Sequence, residues 1–97
     1  MIEFEWDPSK AKRNLRNHRV AFRDAATVFQ DPLSITVYDP DHSEHEDRFI
    51  TIGWSAAGRL LMVAHTDRGA RIRILSAREL SRRERQEYEE EIKRRKG

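Results

Sequence analysis

The chain has 97 residues, of which 37% are charged and 37% hydrophobic, with no cysteine and a formal net charge of +2. That length suits one domain, residues 1–97, with a modest core. The lack of cysteine excludes disulfides, thiolate metal sites and cysteine nucleophiles.

Ile2, Phe4 and Trp6 alternate with Glu3 and Glu5, the period of a short strand with one buried face. Asp7-Pro8 stops it and suits a helix start, with Asp7 as cap and Pro8 in the first helical position. A first helix is expected from about Pro8 to Asn17, with a thin apolar stripe of Ala11 and Leu15. Phe22, Ala25, Ala26 and Phe29 then mark one face of a second helix, ended by Asp31-Pro32. The short link between the two makes them a helix pair.

Leu33 to Tyr38 alternates and is rich in β-branched residues, hence a strand. Asp39 to Glu46 is a polar loop. Strands follow at Arg48 to Trp54, Leu60 to Thr66 and Arg71 to Leu75, joined by turns at Ser55–Gly58 and Asp67–Gly69. Short turns imply an antiparallel meander of about four strands. The C-terminal segment reads as a helix capped by Ser81, with Glu84 completing a capping box. Its stripe of Leu80, Tyr88 and Ile92 is thin, so a basic tail over 91–97 is expected to fray. The fold class is therefore α+β.

Charge is segregated. Ser9 to Arg23 holds six Lys/Arg and no acid, Asp39 to Asp47 five acids and no base, and Arg59 to Arg78 five arginines and one aspartate. Such blocks imply a two-poled surface. No apolar run approaches the roughly 20 residues of a membrane span. The N-terminus lacks a basic segment leading into an apolar one. A soluble, cytoplasmic protein with no membrane partner is the expectation.

Turn geometry gives a register. With Ala56-Ala57-Gly58 as a three-residue loop, Arg48 lies opposite Thr66. With Arg68-Gly69 as a two-residue loop, Ala64 faces Arg73. Arg48, Thr66, Arg71 and Arg73 then share one face with Ile50, Ile52, Met62 and Leu75. Phe49, Thr51, Leu61, Val63, His65, Ile72, Ile74 and Ser76 share the other, and Ser76 to Arg78 leaves the strand. A one-residue slip would bring His65 to the arginine face.

Arginine suits phosphate binding, because its guanidinium forks onto phosphate oxygens and stays charged. Arg48, Arg71, Arg73 and Arg78 are candidates; the alternative is a solvated face or salt bridges. His65 and His18 are candidate acids or bases. His65 on a strand among apolar residues also fits a structural histidine, and His18 at a helix end also fits the dipole. Tyr88 can hold the last helix on the sheet. Asp39 to Glu46 places two histidines three apart among acids, yet without strong metal spacing, so no metal is assigned. Trp6 and Trp54 fit base stacking or the rim of the core.

A wider pattern runs through the chain. It comprises Phe4-Glu5-Trp6-Asp7-Pro8, Lys10, Ala11, Asn14, His18, Phe22, Ala25 to Pro32, Asp39 to Glu44, Arg48, Ile52-Gly53 and Gly58-Arg59-Leu60-Leu61. It continues with Arg71-Ile72-Arg73-Ile74, Ser76-Ala77-Arg78, Arg83-Glu84 and Tyr88. In order and spacing this closely resembles the BrnT family of type II toxin–antitoxin toxins. The resemblance implies a RelE-like fold and an endoribonuclease that cleaves RNA and arrests translation. It also implies a cognate ribbon-helix-helix antitoxin, BrnA-like, through which operator DNA is bound. Two positions depart from the family pattern: Asn17-His18-Arg19 stands for Lys-His-Gly, and Ala21 for a Ser or Thr helix cap.

Combining residue chemistry and resemblance, Arg48, His65, Arg73 and Arg78 are the catalytic candidates. Arg71, Lys10, His18 and Tyr88 are the substrate-binding candidates. Neither cofactor nor metal is expected. The rival expectation is a non-catalytic module that binds nucleic acid or a partner through the same basic surface, with salt-sensitive binding.

Overall fold

A computed structural model describes residues 2–96. Strand β1 (Glu3–Glu5) leads into helix α1 (Pro8–His18) and the short helix α2 (Phe22–Ala26), which tightens into a 3₁₀ turn over Thr27–Gln30. Then come β2 (Ile35–Tyr38), a 3₁₀ turn at Pro40–His42, β3 (Arg48–Trp54), β4 (Leu60–Arg68), β5 (Arg71–Glu79) and α3 (Arg82–Lys96). The five-stranded sheet has the order β1-β5-β4-β3-β2. β2 to β5 form the antiparallel meander, and β1 adds in parallel to β5.

Asp7 caps α1 by accepting from Ser9 N at 3.2 Å, with Pro8 at its first position. The expected stripe differs. Leu15 is 51% exposed, while the buried residue of α1 is Asn14. Asn14 Nδ2 donates to Val20 O and Ala77 O, both at 2.9 Å, and Ala77 N donates to Asn14 Oδ1 at 3.0 Å. The pairing of β1 with β5 runs only from Arg71 to Arg73. Farther along β5 the Asn14 amide therefore satisfies edge groups that would be costly to bury unpaired.

Both departures at the helix junction are visible. Arg19 closes α1 with φ 59, donating its N–H to Leu15 O at 3.0 Å. Ala21 starts α2 with no side-chain cap bond. A left-handed non-glycine residue costs roughly 1–2 kcal/mol. Arg59 Nη1 offsets part of this by donating to the Arg19 carbonyl at 2.6 Å.

The helix pair covers one sheet face. Val20, Phe22, Ala25 and Val28 pack there on Leu61, Val63, Ile74 and Ala77. The shift of α2 into a 3₁₀ turn changes the helical phase, which buries Val28 as well as the expected face. On the opposite face α3 covers one end, with Tyr88 packed among Ile35 and Leu60 and flanked by Ile52, Leu80 and Ile92. Ser81 and Glu84 form the reciprocal capping box, at 2.8 and 3.2 Å. The segment expected to fray is helical through Lys96, with Glu91 bonded to Arg94 and Arg95.

The β3–β4 register is the expected one, with Arg48 opposite Thr66. The β4–β5 register is not. Its loop is Gly69-Ala70, with Gly69 at φ 64, and Arg68 pairs with Arg71. A displacement of two residues preserves the faces of Arg71 and Arg73. A bulge then intervenes: His65 pairs with Ile74, but Ala64 pairs with Ser76, leaving Leu75 extra. One inserted residue inverts everything beyond it. Ser76 moves to the arginine face, and β5 continues to Glu79 with Arg78 opposite Met62.

Candidate functional site

The half of the arginine face that α3 leaves open is built in rows across the strands. Paired residues share a face, so Arg48, Thr66, Arg73 and Glu5 form one row. Ile50, Ala64 and Ser76 form the next, followed by Ile52, Met62 and Arg78. The end of α1 walls one side and the 3₁₀ turn at Pro40–His42 the other. Between them lies a groove of about 320 Å³ whose lining includes His18, Asp39, His42, Arg48, Ser76 and Arg78. Lys10, Asn14 and His18 lie four apart on α1, hence on one face. That face continues the groove past Ser76. The Asn14 clamp on Ala77 thus sets where His18 and Lys10 stand.

Of the expected site residues, Arg48, Arg78 and His18 come together, with Lys10 adjoining. Arg71 and Arg73 stand on the same face but toward the β1 edge, where glutamates meet them. Arg73 Nη1 bonds Glu5 at 2.7 Å, and Arg71 Nε lies 3.4 Å from Glu3. Both glutamates follow from the parallel pairing of β1, which puts Glu3 opposite Arg71 and Glu5 opposite Arg73. Tyr88 is buried beneath α3 and lies outside the groove.

His65, the other catalytic candidate, stands on the opposite face of the sheet from the groove. It faces the helix pair, is 2% exposed and lies between the rings of Phe29 and Phe49. Nδ1 donates to Asp67 at 2.9 Å, and Thr51 Oγ1, itself 2.7 Å from Thr36 Oγ1, donates to Nε2 at 2.7 Å. Burial pushes its pKa down, opposed by Asp67. With both nitrogens occupied and the whole sheet between it and the groove, it holds core strands together.

The groove arginines differ in freedom. Arg78 grips Glu84 with both Nη atoms, at 2.8 and 2.9 Å. The pair, with the Ser81 cap, holds the Glu84 carboxyl down to about 2, and Glu84 in turn raises the Arg78 pKa. Arg48 has one carboxylate nearby, Asp39 Oδ2 at 3.5 Å from Nε. That Nε is buried without a hydrogen-bond partner, as is Thr66 Oγ1 beside it in the row. Two unsatisfied buried donors are costly in a dry core. Arg48 and Thr66 line a second depression of about 380 Å³ together with His42.

Sequence reasoning missed two contributors, His42 and Ser76. His42 lies in the loop read as solvated, yet Asp39 Oδ2 is 3.0 Å from its Nδ1 and the turn sets it on the groove. Ser76 and Arg78 reach the groove face only through the bulge. The histidine three residues after an aspartate was the available signal for the first. Among the described residues, no three His, Asp or Glu are gathered to hold a metal, and no helix is long and apolar enough to cross a membrane.

A family described as “Ribonuclease toxin, BrnT, of type II toxin-antitoxin system” matches residues 6–84. The crystal structure of the Brucella abortus ribonuclease toxin, BrnT, superposes with a TM-score of 0.62. It covers 84% of this chain and 100% of that one at 19% identity, a likeness of fold. No curated protein matches the chain.

Proposed function

The chain belongs to the BrnT family of ribonuclease toxins of type II toxin–antitoxin systems, and from that premise we infer that it is an endoribonuclease whose catalytic groove is the one between α1 and the Pro40–His42 turn. The observation that carries this reading is the convergence of Arg48 and Arg78 with His18 on an open sheet face. Arg48 holds the scissile phosphate and stabilises the charge that builds on its oxygens in the transition state, and Arg78, paired to Glu84, adds its positive charge beside it. Lys10 and His18 take a neighbouring phosphate. Arg73 and Arg71, already partnered by glutamates, guide the RNA backbone toward the β1 edge. Side chains supply this chemistry, so the reaction is metal-independent. Cleavage arrests translation and growth. A cognate ribbon-helix-helix antitoxin of the BrnA kind neutralises the toxin and carries the complex to operator DNA.

The test is incubation of the purified chain with RNA. Wild type should degrade it, and Arg48→Ala should lower kcat/KM roughly tenfold to a hundredfold, the worth of a charge-assisted phosphate contact. Its melting transition should stay cooperative. Salt-sensitive RNA binding without cleavage would instead establish a binding module.

A further inference from the structure

We propose that His42 is the general base of this groove and that Asp39 is the residue that positions it. This rests on the ribonuclease reading above and names the proton acceptor within that site.

A carboxylate only accepts hydrogen bonds, so Asp39 Oδ2, 3.0 Å from His42 Nδ1, requires the proton on Nδ1. The neutral ring then carries its lone pair on Nε2, which no described residue engages. The His42 side chain is 62% exposed and the Asp39 side chain 16%. The pair is thus anchored at one end and open at the other. His18 is the other imidazole in the groove, but no carboxylate fixes its ring.

The anchor is stiff. Pro40 opens the turn with its φ locked. Ser43 Oγ donates to Asp39 O at 2.6 Å and accepts from Arg48 N at 2.9 Å. Asp39 N donates to Arg48 O at 2.9 Å. The turn is therefore stitched to the first residue of β3, the one whose side chain is the freest arginine of the groove. Asp39 Oδ2 stands between the two, 3.5 Å from Arg48 Nε. One carboxylate sets both the phosphate binder and the base.

The step balances. His42 Nε2 takes the proton of the RNA 2′-hydroxyl as that oxygen forms a bond to the adjacent phosphorus. The bond from phosphorus to the 5′-oxygen breaks, and that oxygen takes a proton from water. The products are a 2′,3′-cyclic phosphate and a 5′-hydroxyl, and His42 returns its proton to solvent.

The experiment compares wild type, His42→Ala and Asp39→Asn on a short single-stranded RNA. His42→Ala should lower kcat on the order of 100-fold or more, with KM little changed and an unaltered melting temperature. Added imidazole should restore part of that rate, since the exposed position admits it. Asp39→Asn should lower kcat more in wild type than in His42→Ala, where only its contact with Arg48 is left to lose. A wild type that cleaves beside a His42→Ala that cleaves as fast, or one that imidazole does not rescue, overturns this proposal alone. A wild type that leaves RNA intact overturns the ribonuclease reading and this proposal with it.

Discussion

Two histidine–aspartate pairs stand on opposite faces of one sheet. His65 and Asp67 are 2.9 Å apart, and His42 and Asp39 are 3.0 Å apart. The chemistry of the two contacts is the same. What differs is the second ring nitrogen. In His65 it is closed by Thr51, within a wall of Phe29 and Phe49. In His42 it opens on a groove shared with Arg48 and Arg78. Proton transfer needs contact with a substrate proton, so the first pair serves cohesion and the second can serve chemistry.

The two pairs should differ most in what they contribute to stability. His65→Ala should destabilise by about 2–4 kcal/mol, because it opens a cavity and removes the hydrogen bonds to Thr51 and Asp67. A denaturant midpoint measures it. His42→Ala, at an exposed position, should leave that midpoint nearly unchanged while activity falls.

The pH dependence of stability should separate the pairs next. Burial depresses the folded pKa of His65 below its ordinary 6.5, so the unfolded chain binds more protons between the two values. Stability from this residue is complete above about pH 6.5 and is lost as pH falls through the depressed folded pKa. Midpoints measured across that window should fall with acidity in wild type, and the slope should flatten in a His65 variant. An unchanged slope would place His65 outside the buried network.

The smallest effect is the cleanest control. Arg19→Gly removes a left-handed non-glycine residue and should stabilise the fold by up to about 1 kcal/mol. Arg59 bonds the carbonyl of residue 19, which the substitution keeps. Stability should rise while cleavage stays the same, the converse of His42→Ala. A rise in melting temperature checks it.

Most of the fold was legible because its signals are local. Alternation marked the strands, Asp7-Pro8 and Ser81–Glu84 marked the helix starts, and Gly58 set the β3–β4 register. The face of Arg48 and the core side of His65 followed from that turn, whereas Arg71 and Arg73 kept their expected face because the β4–β5 register moved by two residues. The charge blocks marked two poles, but not that Glu3 and Glu5 would meet Arg71 and Arg73. That pairing depends on β1 joining β5 in parallel, a contact between residues 68 apart in sequence.

The sequence by itself therefore determined the elements, the helix caps and the cationic character of one sheet face, since each depends on neighbours a few residues away. Tertiary structure decided which cations remain available. The bulge at Leu75 returned Ser76 and Arg78 to the groove face. Asn14, bonded to Ala77 across 63 residues, set the helix that carries Lys10 and His18. The fold also chose between the two histidine pairs. Burial and the occupancy of a second nitrogen are properties of packing, and no local pattern encodes them.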